Sequence, residues 1–66
     1  MDQQEKRYVN EREASRILGL AVQTLRNYRF QRRGPRFARL GERAIRYDVQ
    51  DLLEYAEARK IETQEV

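Results

Sequence analysis

The chain of 66 residues contains no cysteine, no histidine and no tryptophan, and it has only one proline and three glycines. Without cysteine there is no disulfide, and without cysteine and histidine the usual zinc ligands are missing. A chain of this length buries only about 60% of the surface that its unfolded form exposes, so it builds one small core at most. We therefore expect a single domain, stabilised by packing or by a bound partner, with no metal and no cofactor.

Long apolar runs are also missing. No stretch approaches the ~20 apolar residues that a membrane-spanning helix needs. The N-terminal Met-Asp-Gln-Gln-Glu has neither the basic nor the apolar part of a signal peptide. Together with the lack of cysteine, these features predict a cytoplasmic location and no membrane partner.

Residues for catalysis are scarce as well. Histidine and cysteine are absent, and the carboxylates fall at predicted helix caps or on predicted solvated faces. The sequence places no general base close to Ser15 that could activate its hydroxyl. The sequence predicts that the protein is not an enzyme and has no small-molecule ligand.

Arginine, by contrast, is abundant and sorted along the chain. Between Leu25 and Tyr47 the sequence has eight arginines and one acidic residue, Glu42, so this segment carries a net charge of +7. The residues after Tyr47 carry -4, and those before Leu25 carry no net charge. Such sorting predicts a surface that faces a polyanion, and double-stranded DNA fits this pattern best. The arginines are Arg26, Arg29, Arg32, Arg33, Arg36, Arg39, Arg43 and Arg46.

The first helix is well signalled. Asn10 followed by Glu13 is a capping pair, and Tyr8-Val9 before it predicts a short strand or hook. Gly19 can adopt the left-handed conformation that ends a helix. Apolar residues on one helical face lie between these signals at Ala14, Ile17 and Leu18.

A second helical pattern runs from about Val22 to Arg32, with Leu25 and Tyr28 on one face. The side chains off that face are of the types that contact bases and phosphates. They are Gln23, Thr24, Arg26, Asn27 and Arg29. Two short helices joined by a glycine turn predict a helix-turn-helix motif, whose second helix enters the major groove. A plain helical hairpin with a solvated polar face remains the alternative.

A hairpin pattern follows the break at Gly34-Pro35, with a turn over residues 41–44. If Leu40 lies opposite Ile45, then Arg39 lies opposite Arg46, and a phosphate between or beside the two arginines would stabilise the pair. A different register, or arginines that extend into water, remains open.

Phe30 lies near the end of the second helical pattern. We expect it to pack beneath the Gly34-Pro35 turn, and a role wedged against DNA is the alternative.

Asp48 is a good cap for a third helix, which closes the core. Its apolar stripe consists of Val49, Leu52, Leu53 and Ala56. Acidic residues lie off the stripe and predict a solvated acidic face, at Glu54, Glu57, Glu62 and Glu65.

This order of elements predicts a mostly α fold with a small β-hairpin, a winged helix-turn-helix of three helices plus a wing. The domain is expected over residues 8–61, between a flexible N-terminus at 1–7 and a flexible tail at 62–66. Residues Tyr8 to Ala56 resemble the excisionase-type helix-turn-helix family, small winged domains related to the DNA-binding part of the MerR regulators. The matching pieces are Glu13-Ala14-Ser15, Leu18-Gly19-Leu20, Thr24-Leu25-Arg26-Asn27-Tyr28, Gly34-Pro35-Arg36-Phe37, Leu40-Gly41, Ile45-Arg46-Tyr47 and Asp51-Leu52.

The resemblance implies roles for individual residues. The helix from Val22 would be the recognition helix, with Gln23, Thr24, Arg26, Asn27 and Arg29 toward the major groove. Phe37 to Tyr47 would be the wing, and Arg32, Arg33, Arg36, Arg39, Arg43 and Arg46 would contact the backbone or minor groove. Members of the family usually have Ser or Thr at the cap before the recognition helix, where this chain has Ala21.

The resemblance also implies two outputs. One is a phage excisionase that binds cooperatively, bends attachment-site DNA and directs an integrase toward excision in the bacterial host cytoplasm. The other is a small transcriptional regulator of a mobile element. MerR regulators continue into a dimerisation helix and an effector domain, so the size of the chain favours the excisionase.

The distribution of charge also bears on assembly and on partners. The basic centre and the acidic third helix predict head-to-tail self-association on DNA. The sequence is also compatible with a non-catalytic protein adaptor, in which Glu57 to Val66 touch the recombinase, and with an RNA-binding protein.

Overall fold

The computed structural model describes residues 7–61, and the expectations for residues 1–6 and 62–66 lie outside this range. Its elements are β1 (Tyr8–Val9), α1 (Glu11–Leu18), α2 (Val22–Phe30), β2 (Ala38–Arg39), β3 (Ile45–Asp48) and α3 (Val49–Ala58). The mostly helical fold with a small antiparallel hairpin confirms the predicted winged helix-turn-helix. No helix within residues 7–61 is long and apolar enough to cross a membrane.

α1 begins and ends where the sequence predicts. The Asn10 Oδ1 accepts a hydrogen bond from the Glu13 N–H at 2.9 Å, which satisfies one of the free donors of the first turn. At the other end Gly19 has φ 71°, and the Leu20 N–H donates to the Ser15 carbonyl at 3.0 Å. These two caps fix the length of the helix.

α2 is two residues shorter than predicted and ends at Phe30. Arg32 adopts a left-handed φ of 59°. Its N–H donates to the Arg29 carbonyl at 3.0 Å, and the Arg33 N–H donates to the Tyr28 carbonyl at 2.8 Å. This pair of bonds is a Schellman motif, which usually has glycine at the left-handed position. Because Arg32 stands there instead of glycine, the sequence carries no glycine signal for the end of α2.

Tyr28, rather than Phe30, packs beneath the turn that follows α2. Gly34 has φ 89°, and a Cβ added to it would lie 2.8 Å from Tyr28 side-chain atoms. Phe30 is 89% exposed, so the expectation that it packs there was wrong. Tyr28 is three residues after the buried Leu25 and shares its face, whereas Phe30 is rotated to the outer side of the helix.

The sheet has three strands in the order β1-β3-β2, all antiparallel. Tyr8 lies opposite Asp48 and Val9 opposite Tyr47. The segment expected to be a strand or hook is therefore an edge strand beside the wing hairpin, and this pairing joins the start of the domain to its last strand.

The register of the hairpin differs by one residue from the one expected with Leu40 opposite Ile45. Arg39 lies opposite Ile45, and Arg46 lies opposite Ala38. The Leu40 N–H donates to the Ala44 carbonyl at 2.8 Å, which closes the turn one residue earlier than expected. The two arginines do not face each other, so the expected arginine pair was wrong and the alternative of a different register is confirmed.

α3 closes a small core with one edge of its apolar stripe. The Asp48 Oδ1 accepts a hydrogen bond from the Gln50 N–H at 3.1 Å, as the cap prediction required. Leu52 is fully buried, but Leu53 is 51% exposed and Ala56 is exposed as well. Half of the predicted stripe was therefore wrong, because one narrow helix edge is enough to cover so small a core. The buried core residues are Val9, Ala14, Leu25, Tyr47 and Leu52.

Candidate nucleic-acid interface

The outer face of α2 carries three of the predicted base-contacting side chains. Gln23, Arg26 and Asn27 are exposed, and they share a face because they are spaced at i, i+3 and i+4. The Gln23 amide Nε2 donates to the Asn27 Oδ1 at 3.1 Å. Thr24 lies beside them and is half-buried. The face presents one guanidinium and two amides, the groups that pair with guanine and adenine edges.

Arg29 points into the protein instead. Its side chain is 18% exposed. Its Nη1 donates to the Tyr47 hydroxyl at 2.8 Å, and its Nη2 donates to the Glu11 carboxylate at 3.1 Å. The guanidinium also lies 5.7 Å from the centre of the Phe37 ring. These contacts tie α2 to α1 and β3, and a DNA contact by Arg29 remains a prediction.

Glu11 is the acceptor that joins Arg29 to Arg26. Its Oε2 accepts from Arg26 Nη2 at 2.6 Å, and Arg26 Nε lies 3.2 Å from both carboxylate oxygens. The hydrogen bonds from Arg26, followed by those from Arg29, lower the pKa of Glu11 below its ordinary value, against the opposing effect of desolvation. The same pair raises the pKa of Arg26. Glu11 is therefore an anion held in place beside the outer face of α2.

A cleft of about 480 Å³ lies between α1, α2 and the wing, and we call it the recognition cleft. It brings Arg26 of α2 together with Arg43 and Arg46 of the wing. Glu11 is the single acid among the described residues that line it. The complete lining is Asn10, Glu11, Arg12, Arg26, Arg29, Arg43, Ile45 and Arg46.

A second cleft of about 560 Å³ is lined by Arg29 and by the turn that follows α2, and we call it the turn cleft. No acid lines it within the described part of the chain. Its lining is Arg29, Arg32, Arg33, Gly34, Pro35, Arg36, Phe37 and Arg39. The predicted arginines thus separate into two groups, with Arg39 in the turn cleft and Arg46 in the recognition cleft. The protein thus has two positive concave surfaces, one between α1, α2 and the wing and one at the turn after α2, and such surfaces attract phosphates.

The family model described as a helix-turn-helix domain matches residues 8–60. The chain belongs to this helix-turn-helix family. The matched range contains every helix and strand of the fold and both clefts. No curated protein and no solved structure matches the chain significantly. Family membership indicates DNA binding, and the charge of the two clefts agrees with it.

Within this helix-turn-helix domain, sequence analysis missed the two charged residues that α1 contributes to the recognition cleft, Glu11 and Arg12. The first helix of the motif crosses the DNA backbone, so a basic residue in its first turn could have been added to the candidates. Glu11 had no local signal, because its partner Arg26 is fifteen residues away. Within residues 7–61 no group of acidic side chains is arranged to hold a metal ion.

Proposed function

We propose that the protein binds double-stranded DNA with sequence specificity, with α2 in the major groove. The observation that carries the proposal is the recognition cleft, where Arg26 on α2 and Arg43 and Arg46 on the wing line one concave surface. Gln23, Thr24, Arg26 and Asn27 then face base edges, and the wing arginines face phosphates or the minor groove. The role is one of binding, without catalysis and without a cofactor.

The turn cleft extends the phosphate contacts. Arg32, Arg33 and Arg36 line it with Arg39, and no acid lies among its described lining residues. A duplex that contacts α2 and the turn after it meets arginines of both clefts. Contact with both clefts favours bending of the DNA toward the protein, since neutralised phosphates on one face no longer repel one another.

We further propose that the biological output is that of an excisionase. The excisionase-type pattern over Tyr8 to Ala56 supports this output. The protein would then bind attachment-site DNA in the cytoplasm of a bacterial host and direct an integrase toward excision. A single domain of this size contacts a limited site, so full occupancy requires several copies side by side.

The charge distribution offers a way for copies to associate on DNA. α3 presents exposed Leu53, Glu54 and Glu57, and the turn cleft presents arginines together with partly exposed Phe37. Contact between the two surfaces of neighbouring copies is heterologous and produces an open row rather than a closed dimer. A row along one face of the duplex would add a bend with each copy.

The test begins with selection of a preferred duplex from a randomised library. A gel-shift titration then compares this duplex, the attachment-site DNA of the encoding element and a scrambled duplex. A cooperative ladder with increasing bend on the attachment site is expected. One discrete complex on a promoter fragment would instead assign the protein as a transcriptional regulator. Preference for single-stranded RNA, or no binding to any duplex at low salt, would refute the DNA proposal.

Charge reversal separates stacking from binding. Glu54→Lys should remove the cooperativity of the ladder and leave the first complex at least as tight. Glu13→Lys changes the charge equally on α1, where Glu13 pairs with Arg16 at 2.7 Å, and it should keep the cooperativity. If both variants keep the ladder, α3 is not the stacking surface.

A further inference from the structure

We infer that Glu11 is a specificity-determining residue, which positions Arg26 for a base and limits binding to DNA of other sequence. The inference rests on the proposed DNA-binding function and deepens it. It starts from an unusual feature of the recognition cleft, a carboxylate that lies among arginines at the edge of a surface expected to meet phosphates. A surface built only to bind a polyanion gains nothing from an acid at this position.

The geometry of the ion pair carries the first step. Glu11 binds Arg26 along the inner edge of its guanidinium, through Nε at 3.2 Å and Nη2 at 2.6 Å. This leaves both N–H groups of Nη1 and one of Nη2 for another acceptor. Those donors form the outer fork of the guanidinium, which has the spacing to bind the O6 and N7 atoms of guanine together. Arg26 can therefore keep its bond to Glu11 while its outer fork contacts a base.

The second step is that Glu11 is itself held in place. Its Oε1 accepts from Arg29 Nη2 at 3.1 Å, and Arg29 donates to the hydroxyl of Tyr47. Tyr47 is 1% exposed and belongs to the core. A chain of hydrogen bonds thus anchors the carboxylate to the centre of the fold. A free arginine side chain on a helix surface samples many rotamers, and anchoring Arg26 removes most of this freedom before DNA arrives.

The third step concerns DNA of the wrong sequence. A freely moving Arg26 would turn to the nearest phosphate on any duplex, and so would raise affinity without discrimination. Glu11 opposes this in two ways, because it retains the guanidinium and because its own negative charge repels phosphate. The pair therefore lowers non-specific affinity more than it lowers affinity for the preferred duplex.

The experiment measures the dissociation constants of the wild type and of Glu11→Gln for the selected duplex and for a scrambled duplex at one salt concentration. Glu11→Gln keeps the size of the side chain and removes its charge. We expect affinity for the scrambled duplex to rise severalfold, and the ratio of the two affinities to fall by roughly fivefold to tenfold, as expected for a weakened bidentate base contact. Glu13→Gln is the matched control, since it removes the same charge from the exposed pair with Arg16. It should leave the ratio unchanged.

A second variant covers the case in which Glu11→Gln unfolds. Arg26→Lys keeps the positive charge but has no planar fork for Glu11 to hold. It should reduce the ratio, and affinity for the scrambled duplex should rise as it does in Glu11→Gln, because the ammonium is free to turn to the nearest phosphate. Circular dichroism melts of each variant establish that the domain is folded at the assay temperature.

The outcomes distinguish a failure of the role inferred for Glu11 from a failure of the proposed DNA binding. If Glu11→Gln changes both affinities by the same factor, in either direction, Glu11 acts only as a charge or as a structural contact and the inference is overturned, while DNA binding stands. If the wild type binds no duplex, the proposed function fails and the inference fails with it. A reduced ratio in both Glu11→Gln and Arg26→Lys, with an unchanged ratio in Glu13→Gln, supports it.

Discussion

Arg32 occupies a left-handed position at the end of α2, where glycine would be free of strain. A non-glycine residue in this conformation costs roughly 1 to 2 kcal/mol, and here φ is 59°. The side chain lines the turn cleft, in which every charged residue of the described lining is an arginine. Under the proposed function, the positive charge at this position explains why an arginine stands where the helix end would favour glycine.

Replacement of this residue tests the strain. Arg32→Gly should stabilise the domain by up to about 1 kcal/mol, after the greater entropy of glycine in the unfolded chain is subtracted. For a domain of this size that corresponds to a rise in melting temperature of about 4 to 8 °C, measured by circular dichroism. Under the proposed phosphate contact of Arg32, DNA affinity should fall.

Arg33→Gly is the control for Arg32→Gly, with the same loss of charge at the next position. The Arg33 guanidinium lies 4.4 Å from the centre of the Tyr28 ring, so its removal should lower the melting temperature. Equal changes in the two variants would contradict the assignment of strain to Arg32.

Phe30 is the most exposed aromatic residue among those described, at 89%. Phe30→Ala should change the free energy of unfolding by no more than about 0.5 kcal/mol, since little surface returns to water. Tyr28→Ala should cost about 2 kcal/mol or more, because it removes the ring that packs under Gly34. Urea denaturation of both variants makes the comparison. If Phe30→Ala preserves stability but reduces the bend in the gel shift, Phe30 contacts DNA as a wedge.

At the scale of elements, the two helices of the motif differ in how they begin. Asn10 caps α1 with a side-chain hydrogen bond, whereas Ala21 at the start of α2 has no side-chain capping bond. The recognition helix therefore starts with its first N–H groups free of any side-chain acceptor. A phosphate at this end would be a suitable acceptor, since the helix dipole is positive there.

Ala21→Ser should supply the missing cap. The expected gain is about 1 kcal/mol in the free energy of unfolding, measured by urea denaturation. Asn10→Ala provides the converse test at α1 and should cost about the same. If Ala21→Ser leaves stability unchanged, the start of α2 is already satisfied in another way, and a role for DNA phosphate in ordering it loses its support.

The turn of the wing decides which cleft each wing arginine lines. Because the turn closes between Leu40 and Ala44, Arg39 and Arg46 line different clefts. The alternation of residues predicted a strand on each side of the turn, but the first strand ends at Arg39 and Leu40 is 62% exposed. The register depended on a single backbone hydrogen bond that composition does not reveal.

At the scale of the whole molecule, opposite charges lie on different surfaces. Arginines line the clefts around α2 and the wing, and two carboxylates of α3, Glu54 and Glu57, lie on the exposed part of that helix. This separation gives the protein an electric dipole. Because arginines neutralise phosphates, its DNA binding should depend strongly on salt concentration.

Two arginine variants distinguish base contact from phosphate contact. Arg26→Ala should weaken binding to the selected duplex by about 1 to 3 kcal/mol and relax the preference at one base pair. Arg46→Ala should weaken binding to all sequences nearly alike and reduce the log-log slope of affinity against salt by about one unit. The measurement is a titration at several salt concentrations with selected and scrambled duplexes. Identical behaviour of the two variants would refute the assignment of recognition helix and wing.

Acid stability tests the Glu11 ion pair across the whole fold. Arg26, followed by Arg29, lowers the pKa of Glu11 in the folded state. Its stabilising effect is therefore complete above the ordinary glutamate pKa of about 4.3 and is lost as pH falls through the lower folded-state pKa. Wild type should melt at a higher temperature than Glu11→Gln near about pH 6, and the difference should shrink as pH falls below about 4.3. A difference that does not change with pH would contradict the pairing.

The sequence alone determined the features that depend on neighbouring residues. Caps at Asn10, Gly19 and Asp48 marked helix ends, and the arginine run marked the charged surface. Each signal works because the physical cause, a hydrogen bond or a backbone preference, acts over three or four residues. The helix-turn-helix architecture followed from these local signals and their order.

Only the tertiary structure decided which distant residues meet. The way in which three helices share one small core decides that Glu11 contacts Arg26 and that Arg29 turns inward to Tyr47. It also decides that Leu53 is exposed. Such contacts join residues far apart in the chain, and their free energy depends on packing rather than on local preference. The sequence therefore determined that arginines are concentrated in the middle of the chain, and the fold determined which of them are exposed and which, like Arg29, are held inside.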